Sequence, residues 1–251
     1  MPRNQLQTFD NDFDAPTDLF ASAAAADERA GFIMKTYLYV FGAIAAFIVI
    51  ETCLFTVVGG AANMWKIVGP IYATVPMAGL VILGSFMVVS WIASAWASSD
   101  TSPVMQHVGL GVYIVANSLI FVPLLCLAQL QGGSGTILSA ATATAGLFAM
   151  LTLTVFITRK DFSFMRSALT FGSLAALGFI ATAAIFKFAL GPIFMYAVIS
   201  LMCCWILYHT SNVLHHYRIG QHVAAALALF GSVMTLFWWV LQLFLSFQGE
   251  D

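Results

Sequence analysis

What this chain lacks is charge. Its 251 residues include nine Lys and Arg and eleven Asp and Glu, 8% charged in all against 61% hydrophobic. A soluble domain carries about 25% charged residues, so an ordinary water-facing surface is excluded. Cysteine is scarce too. Cys53, Cys126, Cys203 and Cys204 all fall inside apolar runs, where a thiol packs as a small apolar group, and adjacent Cys203 and Cys204 point to different sides of a helix. No disulfide framework is expected. There is no G-x-x-x-x-G-K-[ST] loop, and a net charge of −2 gives no footprint for nucleic acid. No Asp lies within an apolar run to orient a histidine, so a Ser/His/Asp hydrolase is not expected, nor any other enzyme or cofactor. The first 30 residues lack the basic start and short apolar core of a cleavable signal peptide.

What is present is a series of long apolar runs, at about 32–58, 71–97, 104–130, 137–157, 167–190, 192–214 and 223–247. Each has roughly the 20 residues a helix needs to cross a hydrocarbon core. Backbone groups find no partner in lipid, so the runs must be helices. Barrel strands would be about ten residues long with polar alternation, which is absent. The fold class is an all-α membrane protein with seven spans in a lipid bilayer. Small-residue runs such as Ala43 to Ala46, Ala140 to Gly146 and Ala224 to Ala228 are read as packing surfaces. The segment 1–30, with Asp10, Asp12, Asp14, Asp18, Asp27 and Glu28, is read as an acidic, disordered cytoplasmic tail ahead of a transmembrane domain at 31–251. Its stretch 20–30 is alanine-rich enough to begin a helix.

Basic residues set the orientation. With a cytoplasmic N-terminus, Arg3, Arg29, Lys35, Arg159, Lys160, Arg166 and Arg218 lie inside and Lys66 and Lys187 outside, seven against two. This agrees with the positive-inside rule and places the chain as a multi-pass protein of the inner (plasma) membrane.

The remaining polar groups in or beside the spans are the candidate site. Glu51 in span one and Lys187 in span five are placed at the outer mouth, the first hydrated there or facing the bundle, the second snorkelling, with a mutual pair left open. Arg159, Lys160, Asp161 and Arg166 form the cytoplasmic anchor between spans four and five. There Asp161 caps a helix or balances Arg159 and Lys160, with Phe162 and Phe164 at the interface. In span six His209, Asn212 and His216 share one helical face. His215, His216 and His222 are read as solvated loop residues. No acid or cysteine shares the stretch of these histidines, so no metal site is expected.

Three segments resemble the Bax inhibitor-1 family, in particular its bacterial YccA-like branch: Arg29-Ala30-Gly31-Phe32-Ile33-Met34-Lys35-Thr36-Tyr37, Phe156-Ile157-Thr158-Arg159-Lys160-Asp161-Phe162-Ser163-Phe164 and Leu207-Tyr208-His209-Thr210-Ser211-Asn212-Val213-Leu214-His215-His216-Tyr217. The resemblance covers about residues 29–247. It implies a seven-helix bundle with the last helix central. It also implies either a pH-sensitive calcium leak or restraint of a membrane-bound ATP-dependent protease. Leak-forming members share a proton between two aspartates, the first in a Tyr-Asp-Thr sequence. Here that sequence is Tyr208-His209-Thr210, and Ser232 falls at the second position. The arginine that neighbours the pair in span two is also missing. A neutral imidazole and a hydroxyl make a poor calcium site. Of the two function classes, a membrane-embedded regulatory or interaction subunit is therefore favoured over a leak. His209 is expected to latch span six to span seven through a hydrogen bond to Ser232 or Thr235, loosened on acidification.

Overall fold

A computed structural model describes residues 20, 25–74, 77–99 and 102–248. The helices are α1 (Ala26–Val58), α2 (Ala61–Thr74), α3 (Ala78–Ala97), α4 (Pro103–Gln131), α5 (Gly133–Thr158), α6 (Arg166–Phe186), α7 (Pro192–His215) and α8 (His222–Gln248), with a 3₁₀ turn Ser163–Met165 ahead of α6. Seven of them are long and apolar enough to span a membrane.

The eighth, α2, corrects the sequence reading, which placed loop before residue 71 and began span two there. Gly59 and Gly60 both adopt positive φ, and the Gly60 N–H donates to the Phe55 carbonyl, so α1 stops sharply and the chain re-enters a helix. Fourteen residues reach about 21 Å, short of the roughly 30 Å hydrocarbon core. Met64 of α2 packs on Val122 and Cys126 of α4 and on the last turns of α1. α1 itself begins at Ala26, inside the segment read as a tail. Residues 1–19 of that tail lie outside the described residues.

α8 occupies the centre. Its most apolar stretch is 72% buried, against 11–50% for the other six spans. Buried residues occur round its whole circumference, including Ala225, Ala226, Leu229, Phe230, Val233 and Leu236. Lipid supplies no hydrophobic drive between helices, so such packing rests on close contact and shape. Phe121 of α4 illustrates the fit: it stacks on Phe237 at 5.6 Å and meets Phe47 of α1 and Trp238 edge-on at 5.2 and 5.1 Å. α3 lies against α4 backbone to backbone at Gly109. A Cβ there would lie 2.6 Å from the Ala93 carbonyl and 2.7 Å from the Ala97 nitrogen.

Hydroxyls within the spans are mostly absorbed by their own helices. Thr36, Thr144, Thr170 and Ser200 each donate to the carbonyl four residues back, at 2.8–2.9 Å. The four cysteines are free thiols.

Cross-contacts align the helix ends. The α5–α6 connection meets the end of α7 through Ser211, and Tyr39 of α1 meets His107 of α4 and His222 of α8. At the opposite end Gln248 of α8 donates to Thr136, beside the α4–α5 turn. Arg29, Lys35, Arg159, Lys160, Arg166 and Arg218 thus share one end of the bundle, and Lys66 and Lys187 lie at the other. Arg218 also bridges to Phe20, its guanidinium 5.8 Å from the ring centre.

Candidate functional site

All five histidines of the chain collect at the basic end. His209 lies two turns inside α7. Its ring stacks on Trp205 at 5.1 Å and meets Tyr208 edge-on at 5.2 Å. It lines a cavity of about 520 Å³ between α3, α6, α7 and α8, together with Ser94, Tyr113, Ser173, Ser232 and Thr235. His209 of α7 and Ser232 and Thr235 of α8, which the sequence reading placed near one another, thus line one space.

The latch is a different matter. Ser232 donates to Ala228 at 3.0 Å and Thr235 to Gly231 at 2.8 Å, both within α8. The Nδ1 atom of His209 is buried and has no hydrogen-bond partner. Each hydroxyl spends its single proton on a helix carbonyl and neither accepts from the His209 ring, so the expected hydrogen bond between α7 and α8 is not formed. Asn212 does not line the cavity, although it shares His209's face. The polar tie across this cavity is one the sequence reading missed: the Trp205 indole donates to Ser173 of α6 at 2.9 Å.

Among the described residues, no Asp, Glu, Lys or Arg lines this cavity. At its edge sits Tyr217, in the turn between α7 and α8. Burial, reinforced by the neighbouring Tyr208, pushes its phenol up to about 12, so it stays protonated. The space offers hydroxyl, indole and imidazole groups to a guest, with no anionic oxygen to replace a divalent cation's water.

The α5–α6 connection is tied down in a way the sequence reading did not foresee. Arg159 ends α5 in the left-handed conformation. Arg159, Lys160 and Arg166 are exposed, as an anchor requires. Asp161 neither balances these cations nor caps α6 itself: its Oδ1 accepts from the Ser163 N–H at 2.8 Å, opening the 3₁₀ turn, and its Oδ2 accepts from His216 Nε2 at 3.0 Å. The acid absent from the histidines' own stretch is thus supplied from 55 residues away. His215 and His222 are likewise not loop residues. His215 closes α7, with Nδ1 3.0 Å from the Ser211 carbonyl, and His222 opens α8, its ring 5.1 Å from Tyr39.

Ser211, fully buried, is the hinge pin of this region. Its Oγ accepts from the Phe162 N–H at 2.9 Å and has one proton for either the Lys160 carbonyl at 3.4 Å or Asp161 at 3.5 Å. Ser211→Ala strands the Phe162 N–H. An unsatisfied buried donor costs about 1–3 kcal/mol, so thermal unfolding in detergent is expected several degrees lower, with the loop nicked faster by protease. An unchanged melting curve would mean that the loop is held elsewhere.

Asp161 also gives a pH signature. Partial burial pushes its carboxyl up, but the Ser163 and His216 hydrogen bonds outweigh this and hold it below the usual carboxylate value of 3.8. A depressed acid stabilises above its unfolded value and loses that contribution as pH falls through its folded one. Both partners are nearly half exposed, so the pair is worth at most about 1 kcal/mol. Wild type and Asp161→Asn are therefore expected to differ by a small margin at pH 6 that closes below about pH 4 in melting experiments.

The outer-mouth residues separate. Glu51 is only 7% exposed and faces inward, and neither carboxylate oxygen has a hydrogen-bond partner. Lys187 is exposed where α6 ends, at φ +55°, and makes no pair with Glu51.

Two comparisons bear on this architecture. A family model described as inhibitor of apoptosis-promoting Bax1 matches residues 29–249. An uncharacterized protein of Pseudomonas aeruginosa is 29% identical over 167 residues, 66% of this chain and 71% of the relative.

Proposed function

This chain belongs to the Bax inhibitor-1 family, and from that premise we propose that it acts as a membrane-embedded regulatory or interaction subunit, for example of a membrane-bound ATP-dependent protease. The supporting observation is the lining of the cavity between α3, α6, α7 and α8. Where leak-forming relatives are expected to hold their paired acids, this chain has His209 and Ser232, and among the described residues no carboxylate lines the space. The protein keeps the family's central helix without the oxygen ligands that a calcium pathway uses. In this proposal the basic end faces the cytoplasm of a plasma (inner) membrane. A single cysteine at Lys160, placed in a background lacking the native cysteines, should then label only from that side.

Overproducing the protein in its native cells is expected to lengthen the half-life of a membrane substrate of such a protease at least twofold, and the protease should co-purify in mild detergent. An unchanged half-life with no co-purification would overturn the proposal. The second reading is an ion leak gated by His209. It is favoured by one observation, the unpartnered Nδ1 of that residue beside a cavity. It requires flux through the purified protein in liposomes, which the regulatory reading does not.

A further inference from the structure

A second space lies on the other side of α8. α1 and α5 flank an elongated groove of about 940 Å³ whose floor is α8 and the second half of α4. Along α1 it runs from Tyr37 to Thr56, about 28 Å at helical rise, close to the thickness of the hydrocarbon core. The groove opens to lipid: Phe41, Ile48 and Leu153 on its rim are each more than half exposed. Its interior is overwhelmingly apolar and rich in aromatic rings, with Phe47, Phe55, Phe148 and Phe237 among the lining residues.

Into this groove points Glu51, 93% buried and with both oxygens unpartnered. Among the described residues, no Lys, Arg or His lines the groove to answer it. The groove's hydroxyls do not answer it either: Thr52, Thr56 and Thr144 donate to carbonyls of their own helices at 2.6–2.8 Å, and neither the Tyr37 nor the Thr152 hydroxyl is hydrogen-bonded to it. An acid in such surroundings is costly to retain, and in a membrane interior an isolated ionisable group marks a functional site. Its complement would carry positive charge. A metal ion fits poorly, because a hard cation wants several charged or carbonyl oxygens, and beside the Glu51 carboxylate this groove offers neutral hydroxyls and the single amide of Gln129. An organic cation fits on both counts: its charge meets Glu51, and its body meets aromatic faces, whose negative π-clouds attract cations. The volume lies in the range of small-molecule sites, about 300–1,000 Å³. A lipid headgroup is disfavoured by depth. Glu51 sits seven residues before the end of α1, about 10 Å along the axis, and an ammonium there would have left the interface.

We propose that the α1–α5 groove binds a small lipophilic organic cation entering sideways from the bilayer, with Glu51 as its counter-ion and the surrounding phenyl rings as its cage. This site is independent of the regulatory reading and of the His209 cavity across α8.

The test uses the full-length protein in phosphatidylcholine nanodiscs with tetraphenylphosphonium as the probe and triphenylphosphine oxide as a neutral control of similar bulk. Wild type is expected to bind the phosphonium saturably at one site. Glu51→Gln, which keeps shape and removes charge, is expected to weaken that binding at least tenfold while leaving the neutral control unaffected. Glu51→Asp should retain part of the affinity. Melting temperature reports folding; the Gln variant should melt no lower than wild type, because it loses no partner. Absence of saturable binding by a folded wild type would overturn the proposal. So would equal affinity in wild type and Glu51→Gln. Loss of phosphonium binding when phosphatidylethanolamine is added would also overturn it, since the occupant would then be a lipid headgroup.

Discussion

Gly109→Val is expected to destroy the α3–α4 pair. A Cβ at Gly109 meets the Ala93 carbonyl and the Ala97 nitrogen at 2.6 and 2.7 Å, and the Trp96 Cβ at 3.0 Å. The first two are backbone atoms of a helix, so no rotamer change relieves the clash. The two helices must move apart along their whole contact. Overpacking a well-formed interior costs about 1–3 kcal/mol when side chains can adjust; here the cost is expected at the upper end, at least about 3 kcal/mol. The readout is loss of a monodisperse species in detergent or a collapse in melting temperature. Gly146→Ala in α5 is the matched control. Nothing lies within 4 Å of a Cβ there, so that substitution is expected to be neutral or to stabilise by up to about 1 kcal/mol, because alanine loses less backbone freedom in a helix. If both variants behave alike, close packing at Gly109 is not what joins α3 to α4.

The second large effect is a gain. His209 and Ser232 line one cavity, contributed by facing helices. His209→Asp combined with Ser232→Asp puts two carboxylates into a space with no cation to neutralise them. Two acids so placed cannot both ionise easily and share a proton until a divalent cation supplies the missing charge. Calcium flux well above the empty-liposome background, and changing with pH, is expected from the double variant. Neither single substitution is expected to match it, since each leaves one oxygen set missing. A double variant that folds and stays silent would show that loss of these acids is not what closes the cavity.

The spans were legible because lipid forces backbone pairing into helices, and a helix long enough to cross must be apolar for about 20 residues. The same criterion hid α2. Fourteen residues are too few to register as a span, and their apolar run flows almost directly into α3. The glycine pair Gly59-Gly60 was the usable signal. Small-residue runs were read uniformly as packing surfaces, and the structure separates them: Ala43, Ala140, Ala225 and Ala226 are buried, while Gly146 faces open space. Which way Glu51 faced was also written in the chain. Phe32, Thr36, Val40, Ala43, Phe47 and Glu51 recur every three or four residues and form one buried stripe on α1. That stripe is hard to see because the opposite face is apolar too, as lipid requires. The pairs Asp161–His216 and Tyr39–His107 lay beyond sequence reading because their partners are 55 and 68 residues apart. In the second pair His107 Nδ1 donates to the Pro103 carbonyl at 2.6 Å, which in a neutral ring leaves Nε2 to accept from the Tyr39 hydroxyl at 2.7 Å.

The proposed function holds that this member of the Bax inhibitor-1 family conducts no calcium. Calcium uptake by liposomes containing the purified wild-type protein tests it most directly, measured from pH 5 to pH 8 against empty liposomes and the double-aspartate variant. The account predicts wild-type uptake indistinguishable from empty liposomes across the whole range. Wild-type uptake that rises above background and switches with pH would contradict it.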